Sequence, residues 1–94
     1  MQTGGNMIRI QVHLERAHGY GVSGRHVCLS IQTWPIPTWS TWLEGYSNEN
    51  GNVNFKIETY YKIEITFIVD GIVYKRDTVE DCELVVINLD KPLL

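Results

Sequence analysis

The sequence predicts an all-β domain, a seven-stranded antiparallel Greek-key β-sandwich. Three observations carry that expectation. Apolar and polar residues alternate with a period of two along most of the chain, as in strands half-buried against a core. Gly, Asn, Asp and Pro recur between the alternating runs, where turns belong. No segment has a convincing 3.6-residue period. About seven short strands with frequent turns point to a sandwich, with a partly open barrel as the competing architecture.

The first run spans Met7 to Leu14. Ile8, Ile10, Val12 and Leu14 share one face, and Arg9, Gln11 and His13 the other. Glu15 to Gly24 reads as a loop, punctuated by Gly19, Gly21 and Gly24. Arg25 to Thr33 alternates again, with Val27, Leu29 and Ile31 facing inward and His26 and Cys28 outward. Pro35 and Pro37 interrupt any regular ladder, so Trp34 to Thr38 is an edge or a loop. Thr38 to Tyr46, rich in Trp and Thr, is the third strand.

Asn50-Gly51 is a hairpin signal, since both residues tolerate the positive φ of a type I′ turn. Asn52 to Ile57 follows, with Val53, Phe55 and Ile57 on one face. Tyr60 to Val69 is the long fifth strand, with Tyr61, Ile63, Ile65, Phe67 and Val69 on one face. Asp70-Gly71 is a second hairpin signal, leading into Ile72 to Val79. Glu83 to Leu89 is the last strand, and Lys91-Pro92 ends the pattern.

Ninety-four residues make one domain, 1–94, with an ordered core over about 7–89. The apolar fraction of 44% fits a globular chain rather than a disordered one. Net charge is −3, and the eight basic residues are scattered, so no nucleic-acid partner is expected. No apolar run reaches the ~20 residues of a membrane span, so no membrane insertion is expected. The N-terminus is polar and Gly-rich and reads as no signal peptide. Cys28 and Cys82 are too few for a disulfide scaffold, and two free thiols are preferred over one bridge.

Two segments resemble the transthyretin-like, carboxypeptidase-regulatory-like sandwich modules, and these are similar in architecture to collagen-adhesin B-type repeats and to immunoglobulin-like domains. Gly19-Tyr20-Gly21-Val22-Ser23-Gly24-Arg25-His26-Val27-Cys28-Leu29 is similar to G-x-P-V-x-G-A-x-V-x-L, with Gly21 in place of the usual proline. Ser47-Asn48-Glu49-Asn50-Gly51-Asn52-Val53-Asn54-Phe55 looks like T-D-x-x-G-x-V-x-F. Tyr61 matches the tyrosine of a following P-G-x-Y, whose glycine is missing here. The resemblance implies a two-sheet sandwich whose first two strands lie in different sheets. It implies structural roles for Gly24, Gly51, Val27, Leu29, Val53, Phe55 and Tyr61. It also implies an accessory or interaction domain without chemistry of its own, compatible with a secreted or surface protein.

One branch of the fold hydrolyses 5-hydroxyisourate, using histidines, an arginine and a C-terminal Tyr-Arg-Gly-Ser. Arg9, His13 and His26 are present, but the chain ends Leu89-Asp90-Lys91-Pro92-Leu93-Leu94. The expectation is therefore no enzyme. His13, His18 and His26 fall on diverging faces and loops, so they are read as solvated or singly hydrogen-bonded rather than as ligands, and no metal or cofactor is expected. Glu80, Asp81 and Glu83 fit no calcium-loop spacing and read as a solvated acidic turn.

The tryptophans are the unabsorbed feature. Trp34, Trp39 and Trp42 fall within nine residues, beside Ile36. Trp39 shares a strand parity with Leu43, and Trp42 with Tyr46, so at least one tryptophan should be structural, and Trp34, beside two prolines, is the one expected to be exposed. Exposed aromatics are enriched at interfaces and also stack on sugars. The leading expectation is a protein partner, a second copy included, bound through Trp34, Ile36, Trp39 and Trp42. A carbohydrate-binding module using the same rings, with Asn48, Glu49 or Asn50 alongside, comes second. A minimal hydrolase or metal site comes third.

Overall fold

The computed structural model of the chain describes residues 6–17, 19–33, 40–59, 62–79 and 83–93. These form seven strands and no helix: β1 (Asn6–Glu15), β2 (His26–Thr33), β3 (Ser40–Tyr46), β4 (Asn52–Thr59), β5 (Ile63–Val69), β6 (Ile72–Val79) and β7 (Glu83–Asn88). Their bounds follow the alternating runs closely, because β1, β4, β5 and β7 bury one parity and leave the other more exposed. The strands divide into a three-stranded sheet, β4-β1-β7, and a four-stranded sheet, β3-β2-β5-β6. The two sheets pack face to face, and among the described residues no barrel closes.

The core lies between them. The three-stranded sheet contributes Ile8, Ile10, Val12, Leu14, Val53, Phe55, Ile57, Val85 and Ile87. The four-stranded sheet contributes Val27, Leu29, Ile31, Ile63, Ile65, Phe67 and Val69. Phe67 is the largest of the fully buried side chains. Leu43 and Tyr74 pack against the edge of this cluster, and the Tyr74 hydroxyl donates to the Leu89 carbonyl at 3.2 Å.

The expectation of uniformly antiparallel strands needs one correction. β1 pairs antiparallel with β4 but parallel with β7. A period of two assigns faces and is silent on direction. The intervening chain passes through the other sheet before β7 returns beside β1, which supplies the long crossover that a parallel pair requires.

Asn50-Gly51 needs a second correction. It does not close a hairpin, because β3 and β4 belong to different sheets. Nor is it a type I′ turn, because among the described residues Asp70 is the one non-glycine with positive φ. The Asn48 side chain shapes this turn instead. Its Oδ1 accepts from the Asn50 and Asn52 amides at 2.9 and 3.0 Å, while the Gly51 amide donates to the Asn48 carbonyl. Asp70-Gly71 does form the tight hairpin: φ is 50° and 84°, and Val69 pairs with Ile72 across it.

The loop before β2 and the turn before β4 clasp each other. Buried Ser47 donates its hydroxyl to the Val22 carbonyl at 2.7 Å and accepts the Arg25 amide at 3.0 Å. The Gly24 amide donates to the Ser47 carbonyl, and the Leu14 amide to the Gly51 carbonyl. Such mutual pairing satisfies backbone groups that a buried loop would otherwise leave orphaned. Asp70 secures the same end of the molecule, accepting from Arg25 Nη1 and from the His26 amide.

Candidate functional site

β3 is an edge strand of the four-stranded sheet, and its parity decides which aromatics are exposed. Gly45 faces the core, where an added Cβ would meet Val53 Cγ1 at 2.9 Å. Leu43, of the same parity, packs against the core. The opposite parity therefore points to solvent: Trp42 is 62% exposed and Tyr46 70%. Trp34, Ile36 and Trp39 lie outside the described residues, as do Tyr61, His18 and Cys82.

Register across the sheet builds a surface around the two rings. Trp42 stands beside Ser30, Glu44 beside Cys28, and Tyr46 beside His26. His26 Nε2 lies 2.9 Å from Glu44 Oε1, so the imidazole donates to that carboxylate. The His26 and Tyr46 rings meet at a centroid distance of 5.3 Å and an angle of 59°. That tilted contact fixes one face of Tyr46 and leaves the remainder to solvent. Trp42 and Tyr46 stand four residues apart along the strand, roughly 13 Å. Glu44 sits between them, bonded to His26 beside Tyr46.

Cys28 is a free, buried thiol on the outer side of β2. Burial pushes its pKa up, and the neighbouring Glu44 carboxylate pushes it further in the same direction. Both effects disfavour the thiolate, so Cys28 is a poor nucleophile at neutral pH.

The remaining candidates do not converge. His13, on β1 in the other sheet, donates from Nδ1 to Asn52 Oδ1 at 2.6 Å, with Glu15 3.5 Å from its Nε2. His13 and His26 thus lie on opposite sheets with separate partners. Among the described residues no three His, Cys, Asp or Glu side chains are grouped to hold a metal ion. A surface depression of about 390 Å³ on the three-stranded sheet is lined by Arg9, Gln11, Asn54, Lys56 and Leu84, among others, with no carboxylate or imidazole in its lining.

Reading one strand at a time misses His26 and Glu44 as neighbours of the aromatics, because only cross-strand register brings them together. Tyr46 was signalled by its shared parity with Trp42. Comparison with protein-family models and with curated proteins gives no match.

Proposed function

We propose that the chain is a non-catalytic β-sandwich interaction module that binds a protein partner through the outer face of β3. The observation that carries this reading is the exposure of Trp42 and Tyr46 together on one edge strand. Large rings left in water cost solubility, and such rings are common anchors at protein interfaces. The polar groups beside them, His26 and Glu44, suit the mixed character of a non-obligate interface. Trp34, Ile36 and Trp39 immediately precede β3 in sequence and belong to the proposed partner-binding set, outside the described residues.

The proposal includes a transthyretin-like, Greek-key identity for the sandwich. Two features support it. β1 and β2 lie in different sheets, as the resemblance implies. The two segments that carry the resemblance also meet each other, through Ser47 with Val22, Gly24 and Arg25. On this reading they are scaffold, and β3 between them is the functional element. Fold analogy alone would not assign a partner.

Site-specific photocrosslinking in the native host tests the assignment. A benzoylphenylalanine replacing Tyr46 is expected to form an adduct with a defined protein, lost in Trp42→Ala. The same group replacing Lys56, on the other sheet, is expected to give none. Equal adducts from both positions, or adducts indifferent to Trp42→Ala, would sink the proposal. Competition by an added oligosaccharide would shift the reading to glycan binding.

A further inference from the structure

We propose that the chain also self-associates edge to edge through β7, forming a twofold dimer in which β7 pairs antiparallel with β7 of a second copy. The surface is separate from β3. β3 packs beside β4 and β6 beside β7, so the two edges lie on opposite sides of the sandwich.

A strand edge exposes unpaired amides and carbonyls and invites another strand, and folded domains usually blunt it with charge, proline or a bulge. Three of the four edges here carry such devices. β3 has Glu44. β4 has Lys56 and Glu58 on its exposed face. β6 carries Lys75, Arg76 and Asp77, with a register irregularity opposite Phe67 and Ile68. β7 reads Glu83-Leu84-Val85-Val86-Ile87-Asn88, with no charge, Gly or Pro from Leu84 to Ile87. Among the described residues its one ladder neighbour is β1.

Both faces of β7 are apolar. Val85 and Ile87 are buried inward, while Leu84 is 61% and Val86 48% exposed on the outer face. This pattern favours a second copy over a foreign strand, because it is self-complementary. In a continuous sheet, directly opposed residues must point to the same face, so only registers that match parity are allowed. Centring the twofold axis on Val85 places Leu84 opposite Val86 of the second copy, and Val86 opposite its Leu84. All four exposed apolar side chains are then paired with one another. Centring on Val86 instead would set Leu84 against Asn88.

Charge permits the Val85 register in a chain of net charge −3. The two Glu83 residues would stand four positions apart along the strands, roughly 13 Å. That exceeds the Debye length of about 8 Å at physiological salt. The result is a continuous six-stranded sheet, with both β3 faces left free. An edge of six residues falls below the ~1,200 Å² of stable interfaces, so the dimer is weak and concentration-dependent.

Sedimentation velocity of the full chain, from roughly 10 μM to about 1 mM, reads the equilibrium directly. Wild type is expected to pass from monomer to dimer. Val86→Lys and Leu84→Lys, both at solvent-exposed positions, are expected to weaken association at least ~10-fold while keeping the wild-type circular dichroism. Trp42→Ala is expected to dimerise as wild type. Hydrogen exchange should show β7 amides gaining protection with concentration. A wild type that stays monomeric throughout overturns the proposal. So does a dimer that both lysine variants leave intact, or one that Trp42→Ala abolishes.

Discussion

Phe67→Ala is expected to cost about 3–5 kcal/mol of folding stability. Phe67 is fully buried on β5, with Leu29 beside it on β2. Its ring fills the space between the sheets, and truncation loses both its transfer free energy and the contacts of the atoms lining the void. A domain of this size holds about 5–15 kcal/mol in total, so the loss is a large share. Each kcal/mol moves Tm by roughly 4–8 °C in a chain of this length, so the midpoint should fall by at least ~12 °C. Trp42→Ala, on the exposed face of β3, should shift stability by no more than about 0.5 kcal/mol. Thermal unfolding followed by far-ultraviolet circular dichroism compares the two. Similar midpoints for both variants would mean that the core is not centred where the structure places it.

The second large effect is expected at the clasp between the loop before β2 and the turn before β4. Gly51 has φ of 82°, and an added Cβ would stand 2.7 Å from the Leu14 carbonyl oxygen and 2.7 Å from the Val22 nitrogen. Gly51→Ala therefore combines backbone strain of roughly 1–3 kcal/mol with overpacking of about 1–3 kcal/mol. Two other glycines separate the contributions. Gly71 has φ of 84° with nothing within 4 Å of the added carbon, so Gly71→Ala carries strain alone. Gly21 lacks the positive φ, but its Cβ would collide with the Asn50 carbonyl. The atoms in the way are backbone and cannot rotate aside. Urea unfolding is expected to rank Gly71→Ala mildest and Gly51→Ala most severe. A Gly51→Ala variant no weaker than Gly71→Ala would falsify the tight approach of these segments.

The strands were legible where each buries a single parity, as β1, β4, β5 and β7 do. Val27, Leu29 and Ile31, and Ile63, Ile65 and Phe67, appear in the sequence as alternating runs and in the structure as two inner faces. The distribution of strands between sheets was not legible, since adjacent runs carry the same period whether or not they pair. That is why Asn50-Gly51 reads as a hairpin while the chain there passes from one sheet to the other. Asn48 decides that turn through its side chain, a local bond that the Asn-Gly dipeptide does not announce. The direction of β7 was likewise hidden, because parallel and antiparallel neighbours make the same demand on side-chain parity.

The candidate surface was half legible. Shared parity linked Trp42 to Tyr46, but choosing which parity is solvated required Gly45, whose missing side chain makes room for Val53 and Phe55. The exposed edge at β7 had a readable signal too. Leu84 to Ile87 is apolar on both parities, which means either burial on both faces or an outer face awaiting a neighbour. Only the edge position of the strand separates those outcomes.

Fluorine NMR of the chain labelled with 5-fluorotryptophan tests the central claim most directly, with the Trp42 resonance assigned from Trp42→Phe. A soluble paramagnetic probe reports its exposure, first in the dilute protein and then with cello- and chito-oligosaccharides added. The predicted result is a Trp42 signal open to the probe in the monomer, still open when β7 edges pair, and unmoved by saccharide. A Trp42 signal shielded in the dilute monomer would contradict the account, because the ring would then belong to the fold rather than to a partner. A saturable shift with a saccharide would contradict it as well, by making the β3 face a sugar platform.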